Sequence, residues 1–162
     1  MKPQISKLEC HLAYWMRFVS NHVSNAFGLK VETCGVTVAE WVVMRALFDS
    51  ESVNPSQLAD QIGLTRGAVS KLVDRLAVKG FVVCRSDKRD RRYQTVALSP
   101  SGRRLVPELA KLADQNDREF FAHLSDEEQE ALGNVLRSIA KAHGFQECAH
   151  RVTPETQARG SL

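Results

Sequence analysis

Between Thr65 and Arg92 the sequence gathers nine basic side chains, Arg66, Lys71, Arg75, Lys79, Arg85, Lys88, Arg89, Arg91 and Arg92, against three acidic ones, Asp74, Asp87 and Asp90. This local surplus of six positive charges exceeds the net +3 of the whole 162-residue chain, so the remainder is net acidic. Charge gathered in one stretch of a nearly neutral chain suits a phosphate-bearing polyanion. Arginine and lysine also match guanine O6 and N7, and a serine such as Ser70 can serve any base or a phosphate. The alternative is a solvated charged face. No glycine-rich phosphate loop, nucleophile elbow or paired carboxylate–histidine arrangement accompanies the basic run. The sequence therefore predicts a binding protein, not an enzyme, and calls for no cofactor.

The elements that must carry these residues are readable from periodicity and caps. Val69, Leu72, Val73 and Leu76 fall at i, i+3, i+4 and i+7, one face of an amphipathic helix. Thr65 stands at its N-cap and Gly80 beyond its end. Upstream, Asn54-Pro55-Ser56-Gln57 starts a short helix with apolar Leu58, Ala59 and Ile62. Gly63-Leu64-Thr65 makes the turn, which is helix-turn-helix spacing. Downstream, two β-prone runs, 81–85 and 93–98, flank a charged turn-forming tip, predicting a hairpin wing. The second helix of such a motif lies in the major groove with its N-terminal residues at base edges. Thr65, Arg66, Gly67, Ser70, Lys71 and Arg75 are then candidate contacts on the helix, and Lys88, Arg89, Asp90, Arg91 and Arg92 on the wing. For Arg66, Ser70 and Lys71, base reading and plain phosphate contact both stay open. Gly67 and Ala68 would let the backbone approach DNA closely.

The flanking sequence is helical. Ser6-Lys7-Leu8-Glu9 reads as a capping box opening a long helix with Leu8, Leu12, Trp15, Val19, Val23 and Phe27 as its stripe. Thr37-Val38-Ala39-Glu40 opens a second, whose Val38, Trp41, Val42, Met44, Leu47 and Phe48 are expected to be mostly buried. Asp49 to Val53 reads as a loop. Ser99-Pro100 restarts a helix, in which Pro107 should mark a kink or the true beginning. Ser125-Asp126-Glu127-Glu128 opens the last, with Leu132, Val135, Leu136 and Ile139 as its stripe. The expected fold is mainly α with a small β-hairpin wing, residues 1–144 forming one chain. In it, helices at 5–30 and 100–143 flank a winged-helix lobe at 37–98. The tail, 145–162, is expected to be poorly ordered or peripheral. The flanking stripes have no sheet to cover, so the economical solution is packing against a second copy, a homodimer on a pseudo-palindromic site in double-stranded DNA.

Apolar content of 43% and charge of 25% are ordinary for a globular chain. No signal-peptide pattern or membrane-length apolar run is visible, which predicts a cytoplasmic protein without membrane partners. Cys10, Cys34, Cys84 and Cys148 are far apart and read as reduced thiols, Cys34 and Cys84 structural and Cys148 exposed. His11, His22, His123, His143 and His150 form no helical metal pair, so no metal site is expected.

The pattern resembles the multiple-antibiotic-resistance regulator (MarR) family of winged-helix transcription factors. The residues that carry the resemblance are Ser56-Gln57-Leu58-Ala59, Leu64 to Leu76, and Lys79-Gly80-Phe81-Val82. To these add Asp90-Arg91-Arg92 at the wing, and Leu98-Ser99-Pro100-Ser101-Gly102, with Ser99 where the family has threonine. The resemblance spans roughly residues 5 to 143 and implies a homodimeric DNA-binding regulator, usually a repressor. Release by a small aromatic or phenolic ligand, or by cysteine oxidation, is often found in the family. It implies Arg92 in the minor groove and Asp90 orienting the wing.

The resemblance also raises two questions about the first helix. Cys10, in Leu8-Glu9-Cys10-His11-Leu12-Ala13-Tyr14, resembles the reactive cysteine of the family's organic-hydroperoxide sensors, although only Tyr14 and Tyr93 are present to support a thiolate. A helix N-terminus and His11 would favour the thiolate; an inert thiol is the alternative. His11, Trp15 and His22 lie near the helix stripe and are candidate residues for an aromatic-acid pocket, or else ordinary core and interface residues. A winged helix used as a protein-interaction module is the competing function.

Overall fold

A computed structural model of the chain describes residues 5–86 and 94–144. The wing tip, 87–93, and the tail from 145 onward, expected above to be peripheral, lie outside the described residues. Six α-helices and one hairpin follow in the order α1 (Leu12–Glu32), α2 (Val38–Phe48), α3 (Pro55–Ile62), α4 (Arg66–Val78), β1 (Val82–Ser86), β2 (Gln94–Leu98), α5 (Pro100–Phe120) and α6 (Asp126–Ala142). The strands pair antiparallel, Val82 opposite Leu98 and Cys84 opposite Val96. Among the described residues no helix is long and apolar enough to cross a membrane.

Side chains set most of the boundaries. Thr37 and Ser125 form complete capping boxes with Glu40 and Glu128. Asn54, Thr65 and Ser99 each accept a backbone N–H two or three residues on. Gly63, at φ 69°, and Gly80, at φ 74°, stop α3 and the end of α4 in left-handed geometry that a side chain would resist. The core lies inside the winged-helix lobe. Leu47 of α2, Leu58 of α3, Val69 and Leu76 of α4 and Val96 of β2 are fully buried, joined by Val106 and Leu109 of α5.

Several expectations are corrected. The capping box at Ser6 does not form. Leu8–Cys10 is a single 3-10 turn, and α1 begins at Leu12, with His11 at the N-cap making no side-chain cap bond. The 3-10 turn is held by its own backbone bonds and by the Trp15 indole, which donates to the Glu9 carbonyl at 2.9 Å. In α2 the buried row is Glu40, Val43, Met44 and Leu47, while Val42 is 37% exposed. The helix is turned so that a carboxylate, not a second valine, faces inward. Val53, expected in a loop, exchanges both backbone bonds with Val96 and adds a one-residue third strand to the hairpin. Pro107 does not begin α5, because the Ser99 cap starts it at Pro100.

The flanking helices leave much apolar surface open. Leu12 is 82% exposed, and Trp15, Phe18 and Val19 are all about half exposed. No residue of α6 is buried; Leu132, Val135, Leu136 and Ile139 are all exposed.

Candidate nucleic-acid interface

The α4 helix presents two different faces. Val69, Leu72, Val73 and Leu76 are buried against the lobe, while Thr65, Arg66, Gly67, Ser70, Lys71 and Arg75 are exposed together. Helical spacing places Arg66 beneath Ser70, and Gly67 beneath Lys71 and Arg75, in two adjacent rows. Neither Arg66, Lys71 nor Arg75 forms an ion pair with any described residue. A Cβ at Gly67 would meet nothing within 4 Å, so the helix backbone is bare on this side. The orphan first-turn N–H groups add partial positive charge at the same end.

Lys79 departs from the expected basic face. Its Nζ donates to both carboxylate oxygens of Glu40, at 2.7 and 2.9 Å, and to the Gly35 carbonyl at 2.8 Å. Glu40 is only 1% exposed, and it also accepts the Thr37 N–H at 2.8 Å. Burial alone would raise the Glu40 pKa, but the bonds from Lys79 and Thr37 and the lysine charge outweigh it, leaving the carboxyl below its ordinary value. Glu40 thus spends one positive charge of the basic run internally. In the sequence it stands only as the second half of a capping box. Its place in register with Val43, Met44 and Leu47 was the available signal.

The end of α4 is also fastened to α5. Ser99 Oγ donates to the Gly80 carbonyl at 2.6 Å while accepting the Gly102 N–H at 3.0 Å, and Ser101 Oγ donates to the same carbonyl at 2.8 Å. The Ser99 N–H reaches the Phe81 carbonyl at 2.9 Å. A Cβ at Gly102 would press on the Phe81 backbone, lying 3.0 Å from its carbonyl carbon and nearer still to its oxygen. The Ser-x-x-Gly stretch is therefore a close-approach joint between α5 and the turn after α4. Arg103 extends the joint to α2, donating to the Phe48 and Ser50 carbonyls at 3.0 and 3.3 Å across the Phe48 ring.

Of the wing residues, Arg85 is exposed on β1. Lys88, Arg89, Asp90, Arg91 and Arg92 lie outside the described residues. Cys84, expected to be structural, is an exposed thiol on β1. Partial burial and then the charge of Asp74 push its pKa up, which disfavours the thiolate.

The remaining candidates on α1 do not converge. Trp15 lines a cavity of about 550 Å³ between α1 and the α5–α6 end, with Val19, Val23, Phe121, Leu132 and Leu136. His11 and His22 are not in its lining; His22 packs edge-on to Phe18 at 4.5 Å, in a ladder with Tyr14 and Trp15. A second cleft, about 570 Å³, runs between α1 and the start of α2, lined by Ser24, Gly28, Glu32, Val36 and Thr37 among others. Cys10 is exposed, in the 3-10 turn ahead of the α1 cap. Among the described residues no cluster of three or more His, Cys, Asp or Glu side chains is arranged to hold a metal ion.

Comparison with known proteins places this geometry in context. A family model described as "MarR family" matches residues 36–93, which run from the start of the lobe through the wing. The transcriptional regulator HosA of Escherichia coli O111:H- is 27% identical over 107 residues, covering 66% of this chain and 79% of that protein. The HTH-type transcriptional regulator SarZ of Staphylococcus haemolyticus is 25% identical over 134 residues, covering 83% and 90%. Among solved structures, BpsR of Bordetella bronchiseptica superposes with a TM-score of 0.75 at 25% identity, covering 80% of this chain and 98% of that one. That structure concerns regulation of BpsR DNA binding by 6-hydroxynicotinic acid.

Proposed function

We infer that this chain is a DNA-binding transcriptional regulator of the MarR family, and from that premise we propose that it acts as a homodimeric repressor released by a small aromatic ligand. The observation that carries the DNA-reading surface is the face of α4, where Arg66, Lys71 and Arg75 stand exposed with no acidic partner among the described residues. Arg66, Ser70 and Lys71 approach base edges in the major groove, while Arg75 and the wing residues Lys88, Arg89 and Arg91 meet phosphates. Arg92 enters the minor groove and Asp90 orients it, roles that rest on the family motif.

The dimer is supported by the open apolar faces of α1 and α6. Each would bury against a second copy, setting two α4 helices about one DNA turn, roughly 34 Å, apart. The aromatic-ligand reading is supported by the Trp15-lined cavity, whose volume falls within the range that holds small molecules, about 300–1,000 Å³. It is supported too by the BpsR relative, whose regulation involves an aromatic acid. A ligand there releases DNA only by its preference for one spacing of the two α4 helices, worth about 1–3 kcal/mol. Exposure of Cys10 favours a second reading, oxidative release.

Selection of bound sequences from random DNA would give the site and its symmetry together. Operator binding is then titrated with salt, with aromatic acids including 6-hydroxynicotinic acid, and with an organic hydroperoxide on wild type and Cys10→Ser. Two inverted half-sites and release by an aromatic acid support the first reading. Peroxide release that disappears in Cys10→Ser, with no effect of aromatic acids, transfers the function to the second.

A further inference from the structure

The Lys79–Glu40 pair lies at the opposite end of α4 from its exposed reading residues. Lys79 is the C-cap residue of the helix. Its ammonium meets a carboxylate from the first turn of α2 and a carbonyl from the α1–α2 connection. The end of α4 is therefore joined to the stretch from Gly35 to Glu40, some forty positions earlier in the chain. The carboxylate is buried and takes a further bond from the Thr37 backbone, so the lysine has a fixed, not a sliding, partner. Ser99 and Ser101 hold the adjacent Gly80 carbonyl from the α5 side. The thirteen steps from Arg66 to Lys79 span about 20 Å at 1.5 Å per residue. Over that length a tilt of only about 3° at the anchored end displaces the reading end by roughly 1 Å, enough to spoil the aligned hydrogen bonds of base recognition.

We propose that Lys79 and Glu40 are positioning residues that set the angle of α4 on DNA, and that Lys79, although part of the basic run, does not itself touch a phosphate. The inference rests on α4 being the DNA-reading helix. It makes a prediction of opposite sign to simple charge counting. If Lys79 contacted DNA and Glu40 merely drew it away, Glu40→Gln would free a cation and tighten binding. As a positioning pair, both Glu40→Gln and Lys79→Gln loosen the anchor and weaken binding.

The test uses the full-length chain and an operator chosen by selection, with wild-type binding established first; failure at that stage sinks the DNA-reading role of α4, not the bridge. Glu40→Gln, Lys79→Gln, the double variant and Arg75→Gln are compared on operator and on unrelated DNA across a salt series. Circular dichroism and thermal melting restrict the comparison to temperatures at which every variant is folded. Expected are a roughly two- to thirtyfold loss of operator affinity in each bridge variant, little change on unrelated DNA, and a double variant no worse than the singles. The slope of log affinity against log salt stays at the wild-type value in Lys79→Gln, whereas Arg75→Gln, at a phosphate contact, loses about 0.9. Tighter binding by Glu40→Gln, or a slope lost in Lys79→Gln as in Arg75→Gln, makes Lys79 a phosphate contact and overturns the proposal. Equal losses on operator and unrelated DNA, or none on either, reduce the pair to ordinary stabilisation and overturn it too.

Discussion

Gly102→Ala separates helix propensity from packing, because the two give opposite signs. Gly102 is the third residue of α5. An alanine in a helix is favoured over glycine by up to about 1 kcal/mol, so local preference predicts a more stable protein. The structure predicts a less stable one. The new methyl would lie 3.0 Å from the Phe81 carbonyl carbon and 3.2 Å from its Cα, closer still to the oxygen, and none of these is a side chain that can swing away. Relief requires α5 to move off the turn after α4. Such overpacking costs about 1–3 kcal/mol. The movement also stretches the Ser99–Phe81 and Ser99–Gly80 hydrogen bonds, worth about 1 kcal/mol each. After the propensity gain, a net destabilisation of about 2–4 kcal/mol remains. Urea denaturation at fixed chain concentration measures it. Gly67→Ala is the matched control in the first turn of α4, where a Cβ meets nothing within 4 Å; it should leave the fold unchanged or more stable by up to about 1 kcal/mol. If Gly102→Ala is as stable as wild type, the close approach is not a constraint, and the α4–α5 joint loses its physical basis.

Val135→Glu replaces a 57% exposed valine on α6; a monomer would tolerate it, whereas a dimer built on this face should dissociate, as sedimentation at micromolar concentration would reveal, and wild type remaining monomeric there would refute the dimer. Arg66→Ala should relax preference at one position of each half-site in a sequence-selection experiment, while Arg75→Ala, at a phosphate contact, weakens all sequences alike. Arg92→Ala should weaken operator binding by about 1–3 kcal/mol. Asp90→Ala should weaken it as well, and tighter binding would mean that Asp90 is only a repulsive neighbour of DNA. The Glu40 carboxyl, held below its ordinary value in the fold, binds its proton less readily there than in the unfolded chain. Its contribution is present above the unfolded pKa, about 4.3, and is lost as pH falls through the lower folded value. Glu40→Gln should therefore flatten the acid side of a urea-midpoint profile, and an unchanged profile would show that other carboxylates govern it.

Features closed within a few residues were legible in the sequence. Thr37, Asn54, Thr65, Ser99 and Ser125 cap helices because each hydroxyl or amide finds its donor two or three positions away. The faces of α4 were legible for a similar reason: Val69, Leu72, Val73 and Leu76 repeat with the helix, and Arg66, Ser70 and Lys71 occupy the remaining angles. Tertiary structure decided what depends on partners distant in the chain. Lys79 reads as one more cation until Glu40, 39 positions away, claims it. Glu40 reads as a surface cap until the turning of α2 carries it inward in place of Val42. The start of α1 followed the Trp15 indole and the 3-10 turn, not the serine that local pattern favoured. Gly102 appears in sequence only as a motif letter, and its need for no side chain arises where the α5 backbone meets Phe81. Short-range hydrogen bonds and periodicity are written into windows of a few residues. The choice among competing partners for a buried charge or a crowded backbone is made only when separate helices pack.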